Sequence, residues 1–119
     1  MIAARRPTGP GGVERRLAPR YEPKELSETV IVIGSRLVNI GRGGLMLEAP
    51  IPFAPESTLH LRLVLGGERA DVDARVRGCA PRSSGPGRAW AVGVQFENLE
   101  PAVRERLERA LVPRKKGRA

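Results

Sequence analysis

The chain has 119 residues, which is enough for one domain and too few for two. Apolar residues make up 40% of it, which can supply one small core, and no apolar run approaches the roughly 18 residues of a membrane-spanning helix. The formal net charge of +8 favours an anionic partner. Because the basic excess lies mostly at the two ends of the chain, it indicates a local anion site rather than a broad DNA-binding face.

The N-terminal residues 1–13 are rich in Gly, Pro and Arg. Such a segment buries too little apolar surface to offset the entropy of ordering, so it is predicted to be a disordered arm. It has no apolar stretch of the kind found in a signal peptide. The single cysteine, Cys79, cannot form a disulfide within the chain, which suits a reducing compartment. These features predict a cytoplasmic protein.

An arginine segment follows, reading Glu-Arg-Arg-Leu-Ala-Pro-Arg-Tyr over residues 14–21. The planar fork of arginine recognises phosphate and the acceptor edge of guanine through paired hydrogen bonds. On an extended segment, Arg16 and Arg20 would lie on one side about 13 Å apart. Pro19 and Pro23 disfavour a helix here. A solvated basic arm without a ligand is the simpler interpretation of the same residues.

The middle of the chain has the alternation of β-strands. Leu59, Leu61, Leu63 and Leu65 share one face of the clearest strand, and Gly66-Gly67 after it is a hairpin signal. Residues 81–87 are predicted to form a flexible loop. Six strands are predicted, over residues 30–33, 36–40, 45–47, 58–65, 71–77 and 90–96.

A polar, glycine-rich turn, Asn39-Ile40-Gly41-Arg42-Gly43-Gly44, separates two of these strands. Asn and Gly tolerate positive φ, so a plain β-turn explains the composition. Glycine also lets a ligand approach the backbone and exposes amide donors to an anion. The two interpretations are compatible.

At Pro101 the spacing of apolar residues changes from the alternation of a strand to the 3.6-residue period of a helix. Proline suits the first turn of a helix. Val103, Leu107, Ala110 and Leu111 form its apolar face, and Pro113 ends it. Short antiparallel strands leave exposed edges unless the sheet closes. The prediction is therefore an all-β fold, a small closed antiparallel barrel with a C-terminal helix. The basic tail after the helix can aid solubility or attract nucleic acid or anionic lipid nonspecifically.

The arginine segment and the turn together resemble the RRxxxR and (Asp/Asn)-x-Ser-x-x-Gly motifs of the bacterial PilZ domain family, whose members bind the second messenger cyclic di-GMP. The resemblance extends from residue 14 to about residue 111 and includes Val-Gly-Val-Gln-Phe-Glu-Asn-Leu before the helix. It implies a six-stranded antiparallel closed barrel of PilZ type. The domain boundaries are then 14–112 for the barrel with its helix and 113–119 for the basic tail.

The resemblance also implies the ligand-binding residues. Arg15 precedes the Arg-x-x-x-Arg pair, and in the family an arginine there is associated with a stacked ligand dimer. Gly41 stands where the family has serine, and losing that hydroxyl should weaken binding about tenfold at most. The residues implied to bind cyclic di-GMP are Arg15, Arg16, Arg20, Asn39, Gly41 and Gly44.

The function implied is a cyclic di-GMP receptor that orders its arginine arm on ligand binding and signals to an unidentified partner protein. Neither His60 nor Cys79 stands in a cluster of candidate ligands or bases, so no catalytic residue, metal or cofactor is predicted. One alternative is a degenerate PilZ scaffold that no longer binds the nucleotide. Another is a small basic barrel that binds RNA or single-stranded DNA, although only 3% of the residues are aromatic and such barrels stack bases on aromatic rings.

Overall fold

The computed structural model describes residues 19–82 and 88–114 of the chain. These residues form one antiparallel sheet and one C-terminal helix. A single turn of 3-10 helix at Pro23–Glu25 follows the first strand. The predicted disordered arm, residues 1–13, lies outside the described residues. The strands are β1 (Arg20–Tyr21), β2 (Val30–Val32), β3 (Arg36–Gly41), β4 (Gly44–Ala49), β5 (Thr58–Leu65), β6 (Glu68–Arg82) and β7 (Ala89–Glu97), and the helix α1 is Pro101–Ala110.

The strand order is β1-β3-β4-β7-β6-β5-β2, with every neighbouring pair antiparallel. The prediction of an all-β fold with a C-terminal helix is confirmed. The described residues form seven strands, however, where six were predicted. The additional strand is β1, which belongs to the arginine segment, residues 14–21. Closure of the sheet into a barrel is not confirmed, because β1 and β2 stand at the two ends of the strand order.

The core lies on the face where the predicted alternation places apolar side chains. Leu63 and Leu65 of β5 are fully buried, as are Ala74 and Val76 of β6. Gly66 and Gly67 join these strands with φ of 59° and 90°, the left-handed values that a two-residue type I′ hairpin requires. The hairpin prediction is confirmed.

Strand β6 is longer than predicted and includes Pro81, which had been assigned to a loop. Its pairing with β5 ends at Arg75, so among the described strands the rest of β6 pairs with β7 alone. Pro81 pairs with Trp90 in this one-sided segment, where a strand tolerates a missing N–H. Trp90 packs partly buried against the core.

Helix α1 begins at Pro101, as predicted, and buries Leu107 and Ala110 against the sheet. After the helix, Pro113 forms a β-bridge with Leu26. The C-terminal end of the described chain therefore lies beside the segment that follows β1. No helix of the described residues is long and apolar enough to cross a membrane.

Candidate functional site

Strand β1 brings the arginine segment onto the glycine-rich turn. Arg20 pairs with Gly41 and Tyr21 with Ile40 in the register between β1 and β3. The Arg20 guanidinium donates a hydrogen bond from Nη1 to Oδ1 of Asn39 over 2.9 Å. Arg20 is 19 positions from Asn39 along the chain, yet Arg20, Asn39 and Gly41, three of the predicted binding residues, lie together at one edge of the sheet.

A β-bulge places Asn39 on the outer face of the sheet. The pairing of β3 with β4 shifts between Leu37 and Asn39, which leaves Val38 as the additional residue. Leu37 and Ile40 are buried in the core on either side, and Asn39 is half-buried. Its side-chain amide therefore projects from the outer wall and not into the core. Arg20 contacts the amide on this outer side.

Gly41 is buried under the backbone of the arginine segment. A Cβ atom at position 41 would lie 2.8 Å from the carbonyl oxygen of Pro19, below the 3.0 Å that real Cβ atoms respect. The next nearest atoms are Cγ and Cδ of Arg20, at 3.6 and 3.8 Å. Because the closest atom belongs to the backbone, rotating a side chain cannot relieve the contact. Any residue other than glycine at position 41 therefore requires β1 to move.

Gly44 is needed for packing on the opposite side of β4. It is buried and pairs with Gln95, and a Cβ atom there would collide with the carbonyl oxygen of Val94. Gly41, Gly43 and Gly44 do not have positive φ. The expectation that this turn uses glycine for positive φ is therefore wrong, since close approach of neighbouring backbones explains Gly41 and Gly44. A ligand contact at Gly44 stays a prediction.

The outer wall beside Asn39 carries a row of residues that the sequence did not single out. Asn39 pairs with Met46, Met46 with Gly93, and Gly93 with Gly78, so the row crosses four strands. At the usual spacing of about 4.8 Å between strands it is roughly 14 Å long. A Cβ atom at Gly93 or Gly78 would meet no atom within 4 Å. We call this row, Asn39, Met46, Gly93 and Gly78, the wall row; its glycine end is open to solvent.

The arginines at the glycine-rich turn differ from Arg75 in whether a carboxylate neutralises their charge. Among the described residues, no ion pair includes Arg20 or Arg42, and both are exposed. Arg75 instead lies 2.5 Å from Glu97, whose hydrogen bond and negative charge raise the pKa of that guanidinium. The positive charge at the turn is therefore not neutralised by any described carboxylate.

Arg15 and Arg16, the other two predicted arginines, lie outside the described residues. Of the three predicted arginines, the structure describes Arg20, which lies in strand β1 of the sheet.

His60 has carboxylate neighbours that the sequence analysis did not anticipate. Its Nδ1 lies 2.9 Å from Asp73 and its Nε2 lies 3.9 Å from Asp71, on the exposed face of β5 and β6. Alternation alone does not show that these residues meet, because the contact depends on the strand register. Within residues 19–82 and 88–114, no group of three or more His, Cys, Asp or Glu is placed to hold a metal ion.

The family model of the PilZ domain matches residues 14–112, which is most of the chain. The chain therefore belongs to the PilZ domain family, and the resemblance drawn from its two motifs is confirmed. No curated protein matches the chain.

Proposed function

We propose that this PilZ domain is a cytoplasmic receptor for cyclic di-GMP, with no catalytic activity of its own. PilZ domains are a family of cyclic di-GMP-binding modules. The observation that carries the proposal for this chain is the hydrogen bond between Arg20 and Asn39, which joins the two motifs at one place. Arg20, Asn39 and Gly41 form the described part of the proposed site.

Arg20 suits this role because most of its hydrogen-bonding capacity remains available. A guanidinium carries five N–H donors, and the contact with Asn39 Oδ1 uses one of them. The remaining donors can bind a phosphate oxygen, or O6 and N7 of guanine together. Arg42, exposed in the same turn, adds positive charge for an anionic ligand.

The wall row supplies a surface for a planar group. Gly93 and Gly78 have no side chain to block a ring that lies along the sheet, and Met46 offers an apolar, polarisable edge. Asn39, at one end of the row, can hydrogen-bond a base edge. A guanine held by Arg20 and Asn39 therefore has an open surface beside it on which to lie.

Arg15 and Arg16 are proposed to close on the ligand from the segment before Pro19. Binding would order that segment against the outer wall, and the ordered segment would present a new surface to a partner protein. The chain does not identify that partner. If Arg15 accompanies a stacked ligand dimer, as the family pattern implies, two ligand molecules bind to each chain.

Isothermal titration with cyclic di-GMP near physiological salt tests the proposal. The wild-type chain should bind in the micromolar range or tighter, about −8 kcal/mol or better. Arg16→Ala and Arg20→Ala should abolish the measurable heat. Arg104→Ala is the matched control, because Arg104 is exposed on α1 and is in no described ion pair, and it should bind as the wild type does.

The molar ratio and the failures of this titration are also informative. A ratio of two that falls to one in Arg15→Ala would support the ligand dimer. No heat with the wild-type chain, even at low salt, would contradict the receptor proposal and favour the degenerate scaffold. Binding of single-stranded RNA that depends on the basic tail, without binding of cyclic di-GMP, would favour the nucleic-acid alternative.

A further inference from the structure

Gly41 departs from the family pattern, and its surroundings explain the departure. The sequence suggests only a loss, namely one hydroxyl that would bind the ligand. In the structure the space for a side chain is taken by the arginine segment itself, with the Pro19 carbonyl oxygen 2.8 Å from the position of a Cβ atom. A serine at position 41 would therefore have to displace Pro19 and Arg20 before its hydroxyl reached a ligand.

The approach at Gly41 determines where Arg20 lies. Strand β1 is only two residues long, and its register places Arg20 directly opposite Gly41. Asn39, two residues before Gly41 and on the same outer face of β3, accepts the hydrogen bond of Arg20. The pairing of the backbones and the contact of the side chains therefore support each other.

We infer that Gly41 is a positioning residue that lets the end of the arginine segment pack on β3 in the free protein, so that Arg20 is in place before the ligand arrives. A group that is already in position loses less entropy when it binds. This gain offsets the missing serine hydroxyl, so restoring the serine should weaken binding rather than strengthen it. The statement about affinity depends on the proposed function, whereas the statement about β1 does not.

Cleavage by trypsin at the Arg20–Tyr21 bond, without ligand, measures the packing of β1. Cleavage rates of transiently opened segments follow the population of the open form when closing is fast. Gly41→Ser and Gly41→Ala should be cut at this bond about fivefold faster than the wild type, or more, as expected for a small loss of local stability. Gly43→Ala is the matched control, because a Cβ atom there meets nothing within 4 Å, and its rate should match the wild type.

Titration of the same variants with cyclic di-GMP completes the test. Gly41→Ser should bind more weakly than the wild type, and Gly43→Ala should show the smaller change of the two. Unchanged cleavage in Gly41→Ser, or tighter binding, would overturn the inference. Loss of the whole fold in both Gly41 variants would also overturn it, because the three atoms nearest to the added Cβ belong to Pro19 and Arg20 and not to the core.

The two ideas fail in different ways. If the wild-type chain binds no cyclic di-GMP, the proposed function is wrong, and the cleavage rates alone then support or overturn the role of Gly41. If the wild type binds and the Gly41 variants are cut no faster, the receptor proposal stands and the role of Gly41 is wrong.

Discussion

Arg106 and Arg20 each join distant parts of the chain, but their surroundings differ. The Arg106 side chain is 16% exposed, donates to the carbonyl oxygen of Leu65 at 2.6 Å and to Glu68 at 2.9 Å, and lies 3.3 Å from Glu28. Arg20 is exposed and donates to one neutral amide. Arg106 therefore has its charge balanced by carboxylates, while Arg20 keeps its charge and most of its donors for another molecule.

The comparison shows that the partners of an arginine, rather than its position in a motif, distinguish a structural role from a binding role. Arg106 connects α1 to the β5–β6 hairpin and to the segment before β2. Its removal should cost stability and leave binding unchanged. Removal of Arg20 should instead weaken ligand binding and leave the free energy of unfolding nearly unchanged.

Arg106→Ala should have the largest effect on stability, lowering the free energy of unfolding by about 2–3 kcal/mol. Oε1 of Glu28 is buried and makes no hydrogen bond within the described residues, so without Arg106 it would lose the positive charge 3.3 Å away. Urea unfolding measures the change, with Arg104→Ala as the control at under about 0.5 kcal/mol. A loss of similar size in both variants would remove the distinction between the two arginines.

Gly93→Leu should weaken binding of cyclic di-GMP by tenfold or more, which is at least about 1.4 kcal/mol. The new side chain would project from the middle of the wall row into the space that the proposal assigns to a planar base. Titration measures the affinity, and Thr58→Leu, exposed at the start of β5, is the control. Unchanged affinity in Gly93→Leu would show that the ligand does not lie on the wall row.

Arg20→Lys should weaken binding about tenfold, because lysine keeps the charge but loses the planar fork. Its free energy of unfolding should change by less than about 0.5 kcal/mol, since Arg20 is exposed. The same substitution at exposed Arg69, on β6, is the control. Equal affinities for Arg20→Lys and the wild type would mean that Arg20 acts only as a charge.

Arg77→Ala should have the smallest effect. The Arg77 side chain is 53% exposed and its partner Glu56 is 61% exposed, at 3.1 Å. Exposed pairs of this kind contribute about 0–1 kcal/mol, and less in high salt. In urea unfolding at low and at high salt, the free energy of unfolding of Arg77→Ala should differ from that of the wild type by at most about 0.5 kcal/mol. A loss as large as that of Arg106→Ala would contradict the argument from burial.

The sequence predicted well where periodicity carries the information. Alternation identified β5 and β7, the Gly66-Gly67 pair identified the hairpin, and the 3.6 period identified α1. Strand β1 was missed because two residues between prolines show no period, and they are extended through pairing with β3.

The candidate site was predictable in its residues but not in its geometry. The motifs named Arg20 and Asn39, and the structure brings them together. The wall row could not be foreseen, since its members meet only through a register that two bulges shift, one in β3 and one in β6. The role of Gly41 could not be predicted either, because the amino-acid sequence does not show which backbone packs against this residue.

An NMR titration of the isotopically labelled chain with cyclic di-GMP tests whether Arg20 and the wall row bind the ligand, since it reports each residue separately. The largest shifts should fall on Arg20, Asn39 and the wall-row glycines, Gly78 and Gly93, while amides around Arg106 stay unchanged. Shifts that are absent, or that fall on α1 and the β5–β6 hairpin instead, would contradict this prediction.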